Sequence, residues 1–342
     1  MAGSEHETYE CDALVVGSGC AGLSAAVTAG HHGLNVLIVE KEPHFGGTTA
    51  RSGGWLWIPR TRLAHAWGIV EDADQARTYL RHEAGNSFDA ARVDAFLTAG
   101  PEAVDFFTTN TAVRFDMPLT FPDYHAEAPG GAQGGRSMVT RPFDGRELGA
   151  HIKDIGRPLP ELTIFGIMLG SGKDIVHFMR ATKSLASAFY VARRLSKHFL
   201  DVMRHGRGMT LTNGNALTGR LAKSAFDLNI PLWLSSPVRG LITEDGAVRG
   251  AMVKKQDASF ASTPNAASSS PAAAFRTTSS GARRCSRMRR PVMNIGRRDL
   301  PAIPAMDCGW RRQPAGASRI PCRMPRPGCR YRSRCAKTRA KA

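Results

Sequence analysis

Apolar residues fall in short runs along the first three quarters of the chain. Asp12-Ala13-Leu14-Val15-Val16 has the length and branching of a strand covered on both faces, which reads as a continuous apolar run rather than an alternation. It leads straight into Gly17-Ser18-Gly19-Cys20-Ala21-Gly22, and residues 23–30, rich in alanine, follow as a helix slim enough to press on a sheet. Residues 35–39 form a second apolar strand that ends in Glu40. Farther on, residues 211–221 predict a loop, Thr212-Asn213-Gly214-Asn215, opening a helix, while 165–169 and 189–191 read as packing segments. No apolar run approaches the roughly 18 residues of a membrane span. Residues 1–10 are acidic and lack the basic-then-apolar pattern of a secretory leader. A cytoplasmic protein with no membrane partner is expected.

The pattern stops near Gln256, and composition shows why. The formal charge of +17 suggests a nucleic-acid binder until its distribution is read. Residues 1–256 carry 27 Lys+Arg and 26 Asp+Glu, whereas residues 257–342 carry 17 Arg, two Lys, three Asp and no Glu, a net of +16. Leu, Ile, Val and Phe make up only seven of those last 86 residues. That is far below the roughly 20% under which a charged segment cannot offset its ordering entropy, so a disordered basic tail is predicted. Three readings of it stand side by side: a phosphate-binding tail, a metal site built from its five cysteines, and an out-of-frame translation of a GC-rich gene. The metal reading is weak, because no CxxC pair exists and the cysteine spacings are irregular.

In the first 256 residues, strand, glycine turn, helix, strand and terminal acid succeed one another within about 30 residues, the pattern of a dinucleotide cradle in an α/β fold. Gly17 permits the tight turn, Gly19 lets the backbone approach a pyrophosphate, and Gly22 lets the helix close on the strand. The helix N-terminus offers free N–H groups and partial positive charge to phosphates. Glu40, placed 18 residues after Gly22, would accept from both ribose hydroxyls and so favours an adenosine without a 2′-phosphate.

A second glycine loop, Gly46-Gly47-Thr48-Thr49-Ala50-Arg51-Ser52-Gly53-Gly54, follows the second strand. Its two glycine pairs let backbone N–H groups close around a flat ring system and its ribityl chain, a loop that a nicotinamide dehydrogenase does not need. These segments, with Val39-Glu40-Lys41 and Trp57-Ile58-Pro59, resemble the fumarate reductase/succinate dehydrogenase flavoprotein superfamily. The run from Thr48 to Gly54 is most similar to its 3-ketosteroid 1-dehydrogenase branch. The resemblance continues through Asp123-Tyr124-His125, Glu127-Ala128-Pro129-Gly130-Gly131, Arg141-Pro142-Phe143-Asp144, Asn215-Ala216-Leu217 and Ser235-Ser236-Pro237-Val238, with Glu244-Asp245-Gly246.

The resemblance implies a Rossmann-like parallel-sheet FAD-binding domain over residues 9–256. FAD would lie against Gly17, Gly19, Ala21, Gly22, Glu40, Lys41, Gly46, Gly47, Thr48, Thr49, Ser52, Gly53 and Gly54, with Val238 on a later strand facing the adenine. Covalent flavin in the superfamily hangs on a histidine in the post-strand glycine loop. That loop has none, so FAD should be non-covalent, and His44 just before it reads as a solvated residue. A disulfide-type flavin reductase is excluded, since Cys11 and Cys20 are the only cysteines in this part and read as ordinary small residues. The activity implied is hydride transfer between flavin and a carbon–carbon bond next to a carbonyl, on a steroid or another α,β-unsaturated carbonyl compound. Tyr124 matches the tyrosine that lines the steroid site, and a half-exposed loop tyrosine is the plain alternative.

The family continues from residues 247–253 into a strand ending in Gly-Gly-Phe, then a substrate-capping domain, and neither is visible here. Shifting the reading frame changes that. Residues 267–278 then permit Val-Val-Leu-Ala-Gly-Gly-Gly-Phe-Pro-His-Asp, and residues 301–310 permit Gly-Asn-Thr-Gly-Asp-Gly-Leu-Arg-Leu. The Gly-Leu in the second string is forced by Met306-Asp307-Cys308. Residues 257–342 are therefore expected to be an out-of-frame remnant, with the slip near residues 256–258. The chain as written is expected to bind FAD weakly or not at all and not to oxidise steroid. The rival expectation is a non-catalytic remnant whose basic tail binds nucleic acid or anionic surfaces, and no specific nucleic-acid partner is expected.

Overall fold

The computed structural model describes residues 7–170, 173–255 and 258–262. Strand β1 (Ala13–Val16), helix α1 (Cys20–His31) and strand β2 (Val36–Val39) form the expected unit, with the strands parallel and Val16 opposite Val39. The helix starts three residues earlier than predicted because Gly19, in an extended conformation, caps it directly. Beyond it come β3 (Trp55–Trp57), the helices α2 (Ala73–Ala84) and α3 (Ala90–Asn110), β4 (Phe115–Asp116) and β5 (Ser137–Thr140). Asp72 and Asp89 cap α2 and α3 by accepting from the N–H groups of Asp74 and Arg92. Then follow α4 (Lys173–Met179), α5 (Leu185–His205), α6 (Asn213–Asp227), β6 (Leu232–Trp233), β7 (Val238–Glu244), β8 (Ala247–Lys255) and β9 (Ala258–Ser262).

Side-chain alternation along β1 and β2 builds the layers. Val15, Val36 and Ile38 point to one side, where they pack with Leu23, Ala26 and Val27 of α1 and Leu217, Leu221 and Ala225 of α6. Leu14, Leu37 and Val39 point to the other, where they meet Cys11 and Ala251 and Val253 of β8. The central sheet, in the order β6–β2–β1, is thus covered by helices on one face and by an antiparallel sheet on the other. Strands covered on both faces are the reason these runs carry no polar residue.

The fold is mixed rather than purely parallel. The described parallel sheet has three strands, β7, β8 and β9 run antiparallel to one another, and β3–β5–β4 form a second antiparallel sheet that the apolar pattern did not reveal. Strand β9 lies past the boundary expected at Gln256. It pairs with β8 and, in parallel, with residues 7 and 8, so main-chain hydrogen bonds hold it, and composition does not register those. The expected disorder beyond Ser262 lies outside the described residues. The packing segments fared unevenly: Ile167 and Met168 are buried, whereas Phe165 and Phe189 are 72% and 73% exposed.

Candidate functional site

The C-terminal ends of β1 and β2 bring the two glycine loops together through one serine. Ser18, fully buried, donates from its backbone N–H (2.9 Å) and its hydroxyl (2.5 Å) to Glu40 Oε2. The same hydroxyl accepts the N–H of Gly46 at 3.1 Å. Glu40 Oε1 accepts the N–H of Glu42 at 3.0 Å. A carboxylate 6% exposed is therefore held by three donors and keeps further lone pairs at the strand end, where a ribose would arrive. Thr49 completes the junction by accepting the N–H of Cys20, in the first turn of α1, at 3.0 Å. Other N–H groups of that turn have no intrahelical acceptor and are the ordinary place for an anion.

Close backbone approach explains the glycines. A Cβ at Gly22 would lie 1.9 Å from the carbonyl oxygen of Gly17, so helix and strand could not close. Gly46, at a φ of 109°, would push its Cβ to 2.7 Å from Thr218 and 2.8 Å from Ala50. The second loop is also locked to the start of α6. A Cβ at Gly54 would meet the backbone of Asn213 and Gly214 at 2.3 and 2.4 Å, and one at Gly214 would meet the carbonyl oxygen of Thr49 at 2.0 Å. Within the loop, Ser52 Oγ donates to the Thr49 carbonyl (2.9 Å) and accepts from Gly54 (3.2 Å). Thr48 precedes the short turn Thr49–Arg51, and Gly47 and Gly53 lie exposed on the loop.

The remaining predicted residues are placed as follows. Ala21 is exposed on the first turn of α1, and Lys41 is exposed and pairs with Glu42 at 3.3 Å. Val238 opens β7 and packs half-buried among Val16 and Trp233. Two residues earlier, Ser236 donates to the Glu40 carbonyl at 2.7 Å, which sets the start of β7 beside the acid. His44 is exposed. Cys11 and Cys20 are free thiols, and burial pushes Cys11 up to about 11, with Asp12 adding to the shift. Neither is poised as a thiolate.

Tyr124 stands 97% exposed on a loop whose base is deeply anchored. Neighbouring Asp123 accepts from the Trp57 indole (2.7 Å) through one oxygen, and from the Ala132 N–H (3.0 Å) and Arg136 (2.6 Å) through the other. Arg136, 1% exposed, also pairs with Glu71 and donates to the Gly130 carbonyl at 2.7 Å. Its guanidinium lies over the rings of Trp57 and Tyr79. Trp55 stacks on Phe121 at 4.0 Å. Because β3 follows Gly54 directly, these contacts tie the Tyr124 loop to the second glycine loop. His125 binds Glu83 at 2.7 Å and is the first cause, before His82, that holds the Glu83 carboxyl below its ordinary range.

The sequence pattern gave no role to Ser18 or to the Asp123–Arg136–Glu71 cluster. It also missed the part of α6. Asn215 donates to the carbonyls of Ala50 (3.2 Å) and Gly156 (2.6 Å), bracing the loop from behind. Buried Asn215 Oδ1 and Thr218 Oγ1 have no hydrogen-bond partner among the described residues, and both residues adjoin that loop. Glycine cradle, buried carboxylate and unspent polar atoms fit a flavin dinucleotide.

Known proteins bear on this geometry. Residues 12–292 match the model of the FAD binding domain family, a match that runs past Gln256. The chain belongs to that family, and within it to the fumarate reductase/succinate dehydrogenase flavoproteins near the ketosteroid branch. It is 41% identical over 249 residues to 4-oxocyclohex-2-ene-1-carboxylate 5-dehydrogenase of Sinomonas cyclohexanicum, covering 72% of this chain and 42% of that protein. Against 3-oxosteroid 1-dehydrogenase of Mycobacterium tuberculosis the identity is 33% over 246 residues, covering 72% and 43%. The crystal structure of 3-ketosteroid delta1-dehydrogenase from Sterolibacterium denitrificans in complex with 1,4-androstadiene-3,17-dione superposes with a TM-score of 0.66 at 31% identity, covering 75% and 46%. The chain spans less than half the length of these relatives.

Proposed function

We propose that the chain is the FAD-holding part of an oxidoreductase acting on a carbon–carbon bond beside the carbonyl of a ring ketone, steroid or cyclohexenone carboxylate. The observation that carries this reading is the junction of Ser18, Glu40 and Gly46, which assembles both glycine loops at the ends of two parallel strands. Bound FAD would supply the hydride acceptor. Glu40 would hold the adenosine ribose, the first turn of α1 the diphosphate, the loop from Gly46 to Gly54 the ribityl chain and ring, and Val238 the adenine. Tyr124 would line the substrate side, its phenol holding or moving a proton on the carbonyl compound.

Residues 257–342 are read as an out-of-frame remnant, on the strength of their composition and the forced Gly-Leu codons. Tyr124, bare in solvent, has no second wall among the described residues, so the chain as written is expected to hold FAD weakly and not to oxidise steroid. A basic-tail reading is favoured only by the +16 of residues 257–342. It requires nucleic-acid binding that falls steeply with salt and moves with those residues when they are transplanted.

The test has two parts. FAD fluorescence titration of the purified chain should show weak quenching that Glu40→Ala reduces at least tenfold. Dye-coupled oxidation of 4-androstene-3,17-dione should be absent, and a stoichiometric flavin spectrum with turnover would overturn the inactivity. Sequencing the coding DNA across codons 245–270 should locate the slip. A downstream DNA that encodes Gly-Gly-Phe in no frame would end the remnant reading.

A further inference from the structure

Helix α5 is inverted for a surface helix. Its inward face carries the polar groups: Ser187 and Asp201 are buried, and Arg194 pairs at 2.9 Å with buried Asp174, which also accepts the Tyr190 hydroxyl. Behind it lies a cavity of about 230 Å³, lined among others by Arg194, His198 and Arg207. The outward face is apolar. Leu185, Phe189 and Met203 are 91%, 73% and 75% exposed, and exposed Phe199 and Leu200 lie between them. At 100° per residue, positions 185, 189, 199, 200 and 203 form a single stripe along the helix. Ile175, Val176 and Met179 of α4 are exposed as well. Large apolar side chains left in water forgo the gain of burial, and a stripe of this size marks an interaction surface.

Charge identifies the occupant. Exposed Arg193, Lys197 and Arg204 run in a row beside the stripe, and exposed Arg180 and Lys183 lie in the connection from α4. Between residues 175 and 207 the sole acid is Asp201, and it is buried. A second copy of this face would set an all-cationic border against its own image. An anionic bilayer takes the stripe and the cations together. No helix among the described residues is long and apolar enough to cross a membrane, so α5, about 30 Å long, would lie flat.

We propose that the α4–α5 hairpin docks in the interface of an anionic lipid bilayer, stripe inward and cations toward the headgroups. The inference is independent of the redox reading and revises the expectation of no membrane partner. The test is flotation of the full chain with phosphatidylcholine/phosphatidylglycerol vesicles in 0.1 and 0.5 M NaCl, where the higher salt screens attraction by the arginine-rich residues 257–342. The wild type should float in both. Phe189→Glu with Met203→Glu, at positions already exposed and with an unchanged circular dichroism spectrum, should bind at least tenfold less at 0.5 M. Equal flotation of variant and wild type would overturn the proposal. So would a wild type left unbound at 0.5 M salt, or one that captures no vesicle yet sediments as a dimer dissolved by Phe189→Glu, the signature of a second copy.

Discussion

Ser18 Oγ sits at the meeting point of three segments, accepting from Gly46 while donating to Glu40. Ser18→Ala leaves the Glu40 carboxylate short of one charge-assisted hydrogen bond and the Gly46 N–H without its acceptor, a loss of about 2–3 kcal/mol. Urea unfolding should show that loss, together with weaker FAD quenching. Arg136 poses a larger problem. Arg136→Met strands Asp123 and Glu71 as buried carboxylates without their cation, and breaking such a pair costs roughly 3–5 kcal/mol. The midpoint of urea unfolding should fall accordingly. Raising pH probes a third residue. Burial keeps the Cys11 thiol protonated up to about 11 in the folded chain, whereas the unfolded thiol ionises near its ordinary value of 9.0. The folded state's advantage is therefore whole below pH 9 and is lost as pH rises through 11, by roughly 2–3 kcal/mol. Unfolding free energies of wild type and Cys11→Ala between pH 8 and 11 should converge. At this scale the sequence singled out Glu40 and the glycines, because their positions follow from spacing along one βαβ unit. Ser18 and Arg136 were illegible because their partners lie 22, 28, 13 and 65 residues away.

Among the elements, β1, α1 and β2 were readable because two uninterrupted apolar runs flank a glycine turn, and their burial on both faces is what that pattern encodes. The sheet β3–β5–β4 was not, since its strands are two to four residues long and β3 pairs with β5 across 80 or more residues of sequence. Strand β9 escaped for the reason that helps it form: its pairing with β8 and residues 7 and 8 is main-chain work. The contact between α1 and β1 gives a sharp test. Gly22→Ala places a methyl 1.9 Å from the Gly17 carbonyl oxygen and 2.9 Å from its carbon, backbone atoms that cannot swing aside. The variant should lose at least about 3 kcal/mol and all FAD quenching, whereas Gly33→Ala, where nothing lies within 4 Å, should cost only the strain of a φ of 80°.

For the molecule as a whole, two surfaces stand out on opposite principles. The junction of Ser18, Glu40 and Gly46 is polar and buried, and the outer side of α5 is apolar and exposed. The loop that carries Tyr124 belongs to neither type, because its phenol is bare while the charges beneath it are among the most enclosed in the protein. That combination has a kinetic meaning. A molecule arriving at Tyr124 meets a post already set in place, so the entropy lost on contact is that of one aromatic rotamer, about 0.5–1.5 kcal/mol, and no loop need be ordered first. Encounter at that ring should accordingly be fast and nearly insensitive to solvent viscosity beyond simple diffusion.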